Sequence, residues 1–186
     1  MSNATLNRGS WAVKDEAILT ELVTLLGLSE AEKAALAGLK GAAEAAAPEL
    51  TDEFYTRLLA HDNTKEYFEG IDLNHLHNMT GKWFVELFGG VYDEAYASKR
   101  LTIGQVHVRI GLPVRYPLAM VDVITKYGER VVAGAPDPEL ALTAFRKVLA
   151  LDVAVFNQAY EDNQLKHLSE LVGGERLARL LLSGAQ

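Results

Sequence analysis

The sequence predicts an all-α fold, and three observations carry that reading. Apolar residues return every three or four positions along most of the chain, the period of a helix with one buried face. The breaks between these stretches are helix punctuation, a Ser or Asp before the apolar stripe and a Gly after it. Alternating apolar and polar runs are short, and turn dipeptides of the Asn-Gly or Asp-Gly type are missing, so no strand pattern competes. The composition agrees, with only five prolines in 186 residues and abundant Ala, Leu, Glu and Lys.

Taken in order, residues 1–13 read as a loose N-terminal arm. Lys14–Leu26 is amphipathic through Ile18, Leu19, Leu22 and Leu25, and stops at Gly27. Ser29 with Glu32 forms a capping box that opens a second helix, expected to run through the alanines to about Ala47. Pro48 is expected in the first turn of a new helix, Glu49–Ala60. Asp62 or Asn63 caps a short turn ending at Gly70, and Asp72 caps a helix that stops at Gly89-Gly90. Asp93 opens the next helix, through Arg109, and Gly111 ends it. Pro113 restarts the chain into a helix to about Gly134. Asp137 and Pro138 then supply the cap and first position of the longest helix, reaching about Val172, roughly 50 Å at the α-helical rise. Gly173-Gly174 breaks it before a short amphipathic tail, Glu175–Leu182.

Composition removes several function classes. A net charge of −7 offers no basic footprint for phosphates, so no nucleic-acid partner is expected. The absence of cysteine excludes disulfides, thiolate metal sites, cysteine nucleophiles and covalent haem attachment. It also fits a cytoplasmic protein. No apolar run is long enough for a membrane span, and the N-terminus lacks the pattern of a signal peptide.

The chemistry centres on Ile103-Gly-Gln-Val-His107-Val-Arg-Ile110-Gly-Leu112. Ile103 lies four residues before His107 and Ile110 three after, so all three share one helix face. Gly104 and Gly111 remove side chains nearby and let a flat ligand or a helix approach. A neutral imidazole on an apolar wall suits an iron ligand, and it equally suits a core histidine bonded to a backbone carbonyl. Phe54-Tyr55 is a second candidate, either core packing or a hydroxyl able to donate to a small polar ligand. Phe68, Leu76, Met79 and Thr80 could line the same space. His75, His77 and Met79 are candidate sixth iron ligands, or surface residues.

At these residues the chain resembles the globin-coupled sensors. Arg100–Val114 looks like their proximal segment, Phe54-Tyr55-x-x-Leu58-Leu59 like their distal tyrosine motif, and Trp83–Gly90 with Tyr92, Asp93 and Tyr96 like the link between the two. The resemblance spans about residues 14–172 and implies a globin-like fold with no D helix, an extra N-terminal helix and a long C-terminal helix. It divides the chain into the arm 1–13, a sensor globin domain 14–172 and a tail 173–186. It implies haem b held by His107, with Tyr55 as the main distal donor and a pocket of Phe54, Phe68, Leu76, Met79, Ile103, Ile110 and Tyr116. It further implies reversible binding of O₂, with CO and NO as further ligands, and a homodimer through the last two long helices. The ligand state would pass to an output domain or partner. The domain itself is expected to be a sensor and not an enzyme, although an attached output domain could be one, such as a diguanylate cyclase. No output motif follows the globin, so an excised domain or a stand-alone member is expected. Two other readings stay open at this point: a haem-free globin-like signalling module, and a globin acting in O₂ or nitric oxide chemistry.

Overall fold

The computed structural model describes residues 16–184 together with Ser10 and Val13; the rest of the expected N-terminal arm, including Trp11, lies outside the described residues. Ten α-helices and no strand occur among the described residues. They are α1 (Glu16–Leu26), α2 (Glu30–Ala37), α3 (Lys40–Leu59), α4 (Asp62–Lys65), α5 (Leu73–Glu86), α6 (Glu94–Arg109), α7 (Arg115–Ala119), α8 (Val121–Val132), α9 (Pro138–Val172) and α10 (Glu175–Leu182), with a 3-10 turn at Glu66–Phe68 after α4.

Most of the punctuation acts as its chemistry dictates. The Ser29 hydroxyl accepts from the Glu32 N–H, and the Glu32 carboxylate accepts from the Ser29 N–H at 2.7 Å. Asp72, Asp93 and Asp137 cap α5, α6 and α9, each accepting a backbone N–H two or three residues on.

Three expected boundaries are corrected. The break falls at Gly38-Leu39, not at Pro48, which lies inside α3. A proline there removes only one intrahelical donor, and the buried residues Ala43, Ala46, Ala47 and Leu50 hold the helix through it. The short turn α4 starts from His61 with no side-chain cap, so neither Asp62 nor Asn63 fills that role. Thr64 supplies the local bond instead, its hydroxyl donating to the Leu58 and His61 carbonyls. The single helix expected from Pro113 to Gly134 is two, α7 and α8, divided at Met120.

The 35-residue α9 is the spine: α1, α2, α6, α8 and α10 all pack on it, while α3 packs on α5 and α8. Phe84, Phe88 and Phe145 fill the centre, with the Phe88 and Phe145 rings stacked at 5.6 Å. The helices α5 and α6 are joined where Glu86 meets Lys99 and Arg100, not packed along their lengths. That leaves the face of α6 carrying His107 without a helix laid directly across it from α5.

Paired carboxylates give the fold its pH dependence. The Lys126 ammonium and Tyr127 hydroxyl on Glu53 hold its carboxyl at about 2, against a usual 4.5. Glu32, Glu49 and Glu86 are also lowered, by Lys147, Arg130 and the Lys99–Arg100 pair respectively, working against desolvation. Burial lowers His107 from its usual 6.5. In all five the native state binds fewer protons than the unfolded chain, so their contribution is present at neutral pH and lost on acidification. Asp152, a carboxyl raised by burial, has the opposite sign in this acid range. The melting temperature should therefore fall gently below pH 6.5 and steeply below 4.5, and Glu53→Gln should flatten the steep limb. A melting temperature that rises between pH 5 and 3 contradicts this assignment.

Candidate functional site

His107 sits in the last turn of α6, half-buried, with its Nδ1 2.8 Å from the Ile103 carbonyl oxygen. A carbonyl only accepts, so Nδ1 carries the proton and, in the neutral ring, Nε2 keeps its lone pair. Burial lowers the pKa of the ring, which favours that neutral form at pH 7. Nε2 takes no hydrogen bond from the described residues. An imidazole held this way, its second nitrogen tied to the backbone, is able to ligate a metal through the first. The Phe156 ring of α9 meets the imidazole edge-on at 5.2 Å.

One glycine brings α9 close here, and a second turns the chain away. Gly104, one turn before His107, has no side chain because a Cβ there would lie 2.7 Å from Ala159 Cβ and 3.1 Å from the Phe156 carbonyl oxygen. Gly111, at φ +71°, takes a left-handed conformation open to glycine and turns the chain out of α6.

A second cluster forms on α3 and α5. Tyr55 is buried, and its hydroxyl lies 2.7 Å from Thr80 Oγ1. Its ring contacts Phe54 at 5.3 Å and Phe68 at 5.8 Å, both near edge-on, and stacks on His77 at 4.5 Å. Burial raises the phenol above its usual range, so it stays protonated and able to donate. His77 has its Nδ1 3.5 Å from Asp52 Oδ1, and His75 is exposed.

The remaining sequence candidates divide in two. Leu76, Ile103 and Phe68 are half-buried, while Met79 and Ile110 stand 51% and 50% exposed. Tyr116 is half-buried on α7, its ring under the Arg115 guanidinium at 4.7 Å and its hydroxyl accepting from it at 3.3 Å; no hydrogen bond or ring contact joins it to His107. The two clusters are linked by the 3-10 turn. Phe68 touches Tyr55, and the neighbouring Tyr67 donates to the Gly111 carbonyl at 3.3 Å.

Two participants carried weak sequence signals. Thr80 falls on the same face as Leu73 and Leu76, but its bond to Tyr55 depends on how α3 crosses α5. Phe156 is one of many apolar residues on α9. Asp152, by contrast, is a lone acid inside the apolar run Leu149–Phe156 and was open to notice. It is 4% exposed, accepts from Trp83 Nε1 at 2.7 Å and from the Tyr96 hydroxyl at 2.5 Å, and lies 3.0 Å from Nε of Arg100, itself 2% exposed. This network ties α5, α6 and α9 together ahead of His107.

Among the described residues, no group of three or more His, Cys, Asp and Glu side chains could share a metal ion. A metal on His107 would therefore need the rest of its ligands from elsewhere, such as a macrocycle.

The family model described as Protoglobin matches residues 15–166. The chain is 25% identical over 188 residues to the heme-based aerotactic transducer HemAT of Halobacterium salinarum, a match that covers 92% of this chain and 38% of that protein. The chain thus spans well under half the length of that relative. Among solved structures, the globin domain of the Geobacter sulfurreducens globin-coupled sensor matches with a TM-score of 0.70 and 29% identity, over 76% of this chain and 96% of that one.

Proposed function

Because the chain belongs to the protoglobin family, we propose that it is a haem-based gas sensor with His107 as the proximal iron ligand and Tyr55 as the distal hydrogen-bond donor. The observation that carries this reading is the His107 ring, with Nδ1 fixed by Ile103 and Nε2 unused. The surroundings suit a flat apolar group: Phe68, Leu76, Ile103 and Phe156 are half-buried and Met79 and Ile110 stand half-open to solvent, where a complete core would cover them. Haem bound there supplies the iron centre that takes a diatomic gas. The lack of cysteine makes its retention non-covalent, as for haem b. An absorbance spectrum of the purified or haem-reconstituted protein tests the proposal. A Soret band that shifts on reduction and on CO addition supports it, and no such band overturns it.

Each residue has a defined task. His107 holds the group from one side, and the carbonyl of Ile103 keeps the ring in the tautomer that can do so. Tyr55 is the donor for a polar gas. Thr80 lies 2.7 Å from the Tyr55 oxygen and restricts the rotation of its hydroxyl; when Thr80 is the donor of that bond, the phenolic proton is left for the ligand. O₂ gains more from such a donor than CO, because it carries more negative charge when bound. One hydrogen bond to a charged acceptor is worth about 1.5–3 kcal/mol, or roughly 10- to 100-fold. Tyr55→Phe should raise the O₂ dissociation rate by that factor and leave CO affinity nearly unchanged. An unaltered O₂ rate removes Tyr55 from this role.

His77 and His75 do not serve as resting sixth ligands in this reading, since His77 is stacked on Tyr55 beside Asp52 and His75 faces solvent. Output proceeds through α9 in a homodimer. The length of that helix and the 83% exposed Leu171 near its end support such a role, as do the exposed Leu177, Leu181 and Leu182 of α10. The signal then reaches an output domain or partner, and the domain itself works as a sensor and not a catalyst. No helix among the described residues is long and apolar enough to cross a membrane, which accords with a cytoplasmic setting.

A further inference from the structure

The contacts between α6 and α9 advance in the same direction along both helices, and they weaken along the way. Arg100 and Asp152 meet as a buried ion pair. Gly104 lies so close to α9 that a Cβ there would come within 2.7 Å of Ala159 Cβ. Beyond these two points α6 is held less tightly: His107 touches Phe156 by a ring edge, and the Leu112 carbonyl accepts one neutral hydrogen bond, 2.8 Å from the Tyr160 hydroxyl. Tyr160 is also in ring contact with Phe156, at 5.4 Å. The Arg100–Gly104 end is thus held by a buried ion pair and a close approach to α9, and the His107–Leu112 end by a ring edge and single neutral hydrogen bonds.

The carbonyl next to that of Leu112 is held from the other side of the site. Tyr67 donates to Gly111, and its neighbour Phe68 lies against Tyr55. Two tyrosine hydroxyls therefore grip consecutive carbonyls of one turn, one from the segment that touches Tyr55 and one from α9. The two peptide planes are joined through the φ and ψ of Leu112, and the following Pro113 restricts those torsions, so a turn of one carbonyl is passed on to the other. Gly111, at φ +71°, leads the chain into them.

We infer that the Gly111–Leu112 turn is a relay through which the state of Tyr55 reaches α9, by way of Tyr67 and Tyr160, alongside the route through His107. Tyr67 and Tyr160 are positioning residues in this scheme, since neither acts on the gas. The inference rests on the haem reading above and adds to it a second input, one that responds to a polar ligand engaging Tyr55. A route through His107 alone responds to any ligand that moves the iron; a route through Tyr55 separates O₂ from CO.

The test uses the full 186-residue chain loaded with haem, as wild type, Tyr67→Phe and Tyr160→Phe. Each substitution removes a hydroxyl and keeps the ring. Hydrogen–deuterium exchange is followed over residues 107–114 and 156–172 in the ferrous unliganded, CO-bound and O₂-bound states. In the wild type, O₂ should change exchange in 156–172 more than CO does. In Tyr67→Phe the O₂ response should drop to the CO level. In Tyr160→Phe both responses in 156–172 should shrink, and residues 107–114 should exchange about fivefold faster in every state, the effect of one neutral hydrogen bond on local opening. A purely structural Tyr160 would give the faster exchange with the ligand responses intact, and that result overturns the relay. So does a wild type with equal O₂ and CO responses, or a Tyr67→Phe protein that keeps the difference between them. These outcomes are read on protein with its Soret band present. A wild type without that band removes the haem reading, and the relay with it.

Discussion

His107→Ala yields a folded protein that retains no haem. The imidazole is the one strong ligand offered at this face, and the apolar contacts that remain have no means to hold iron. The fold should tolerate the change. The ring is half-buried, and its Nδ1 bonds to a carbonyl that lies within the α6 ladder, so its removal strands no buried polar group. The cost to the apoprotein is about 1 kcal/mol, in the ordinary range for a partly buried substitution. The Soret band should be lost while the far-ultraviolet circular dichroism is unchanged, and free imidazole added with haemin should restore part of the band. A variant that purifies with full haem and a wild-type spectrum overturns the assignment.

Asp152→Ala has the opposite profile, a large loss of stability from a residue without contact to the candidate site. Its carboxylate lies among Arg100, Trp83 and Tyr96. Burial pushes the Asp152 carboxyl up, while Arg100 and the two donors pull it down. Two nitrogens of Arg100, Nε and Nη2, are buried without a well-aligned acceptor even in the intact network. With Asp152 gone, the Glu86 carboxylate is the one anion left on the guanidinium, through Nη1, beside the Tyr96 ring at 4.3 Å, and the Trp83 N–H and Tyr96 hydroxyl lose their acceptor. Breaking a buried pair from one side costs about 3–5 kcal/mol, a large share of the roughly 5–15 kcal/mol that holds a domain together. The melting temperature should fall by roughly 10 °C or more. Replacing both partners, Arg100→Met with Asp152→Leu, should recover most of the loss, because no charge is then left unpaired. A melting temperature for Asp152→Ala within about 2 °C of wild type would show that the network contributes little.

The elements that were read correctly from the sequence share one property: their boundaries are set by groups within a few residues. Asp72, Asp93 and Asp137 cap the helices that follow them because the bond runs to an N–H two or three residues on. Pro48 misled because a proline can start a helix or sit within one. The burial of Ala43, Ala47 and Leu50 against neighbouring helices decided between the two. The division at Met120 comes three residues after Pro117, a breaker inside the stretch that the sequence reading took as one helix.

The candidate site was legible in part for the same reason. The apolar face around His107 and the glycines beside it follow from helix periodicity alone. The resemblance of the Arg100–Val114 and Tyr55 segments to the globin-coupled sensors then supplied what periodicity could not, a relation between residues 52 positions apart. Thr80 on Tyr55, Phe156 on His107 and Tyr160 on Leu112 span 25, 49 and 48 positions. The sequence by itself determined the helical class, the caps and stops, and the face on which His107 stands, because each depends on interactions within about one turn of helix. Only the tertiary structure decided which hydroxyl meets Tyr55, which helix bears on His107 and how Asp152 is neutralised. Those contacts depend on the angles at which helices cross, and the crossing angles come from the packing of the whole core.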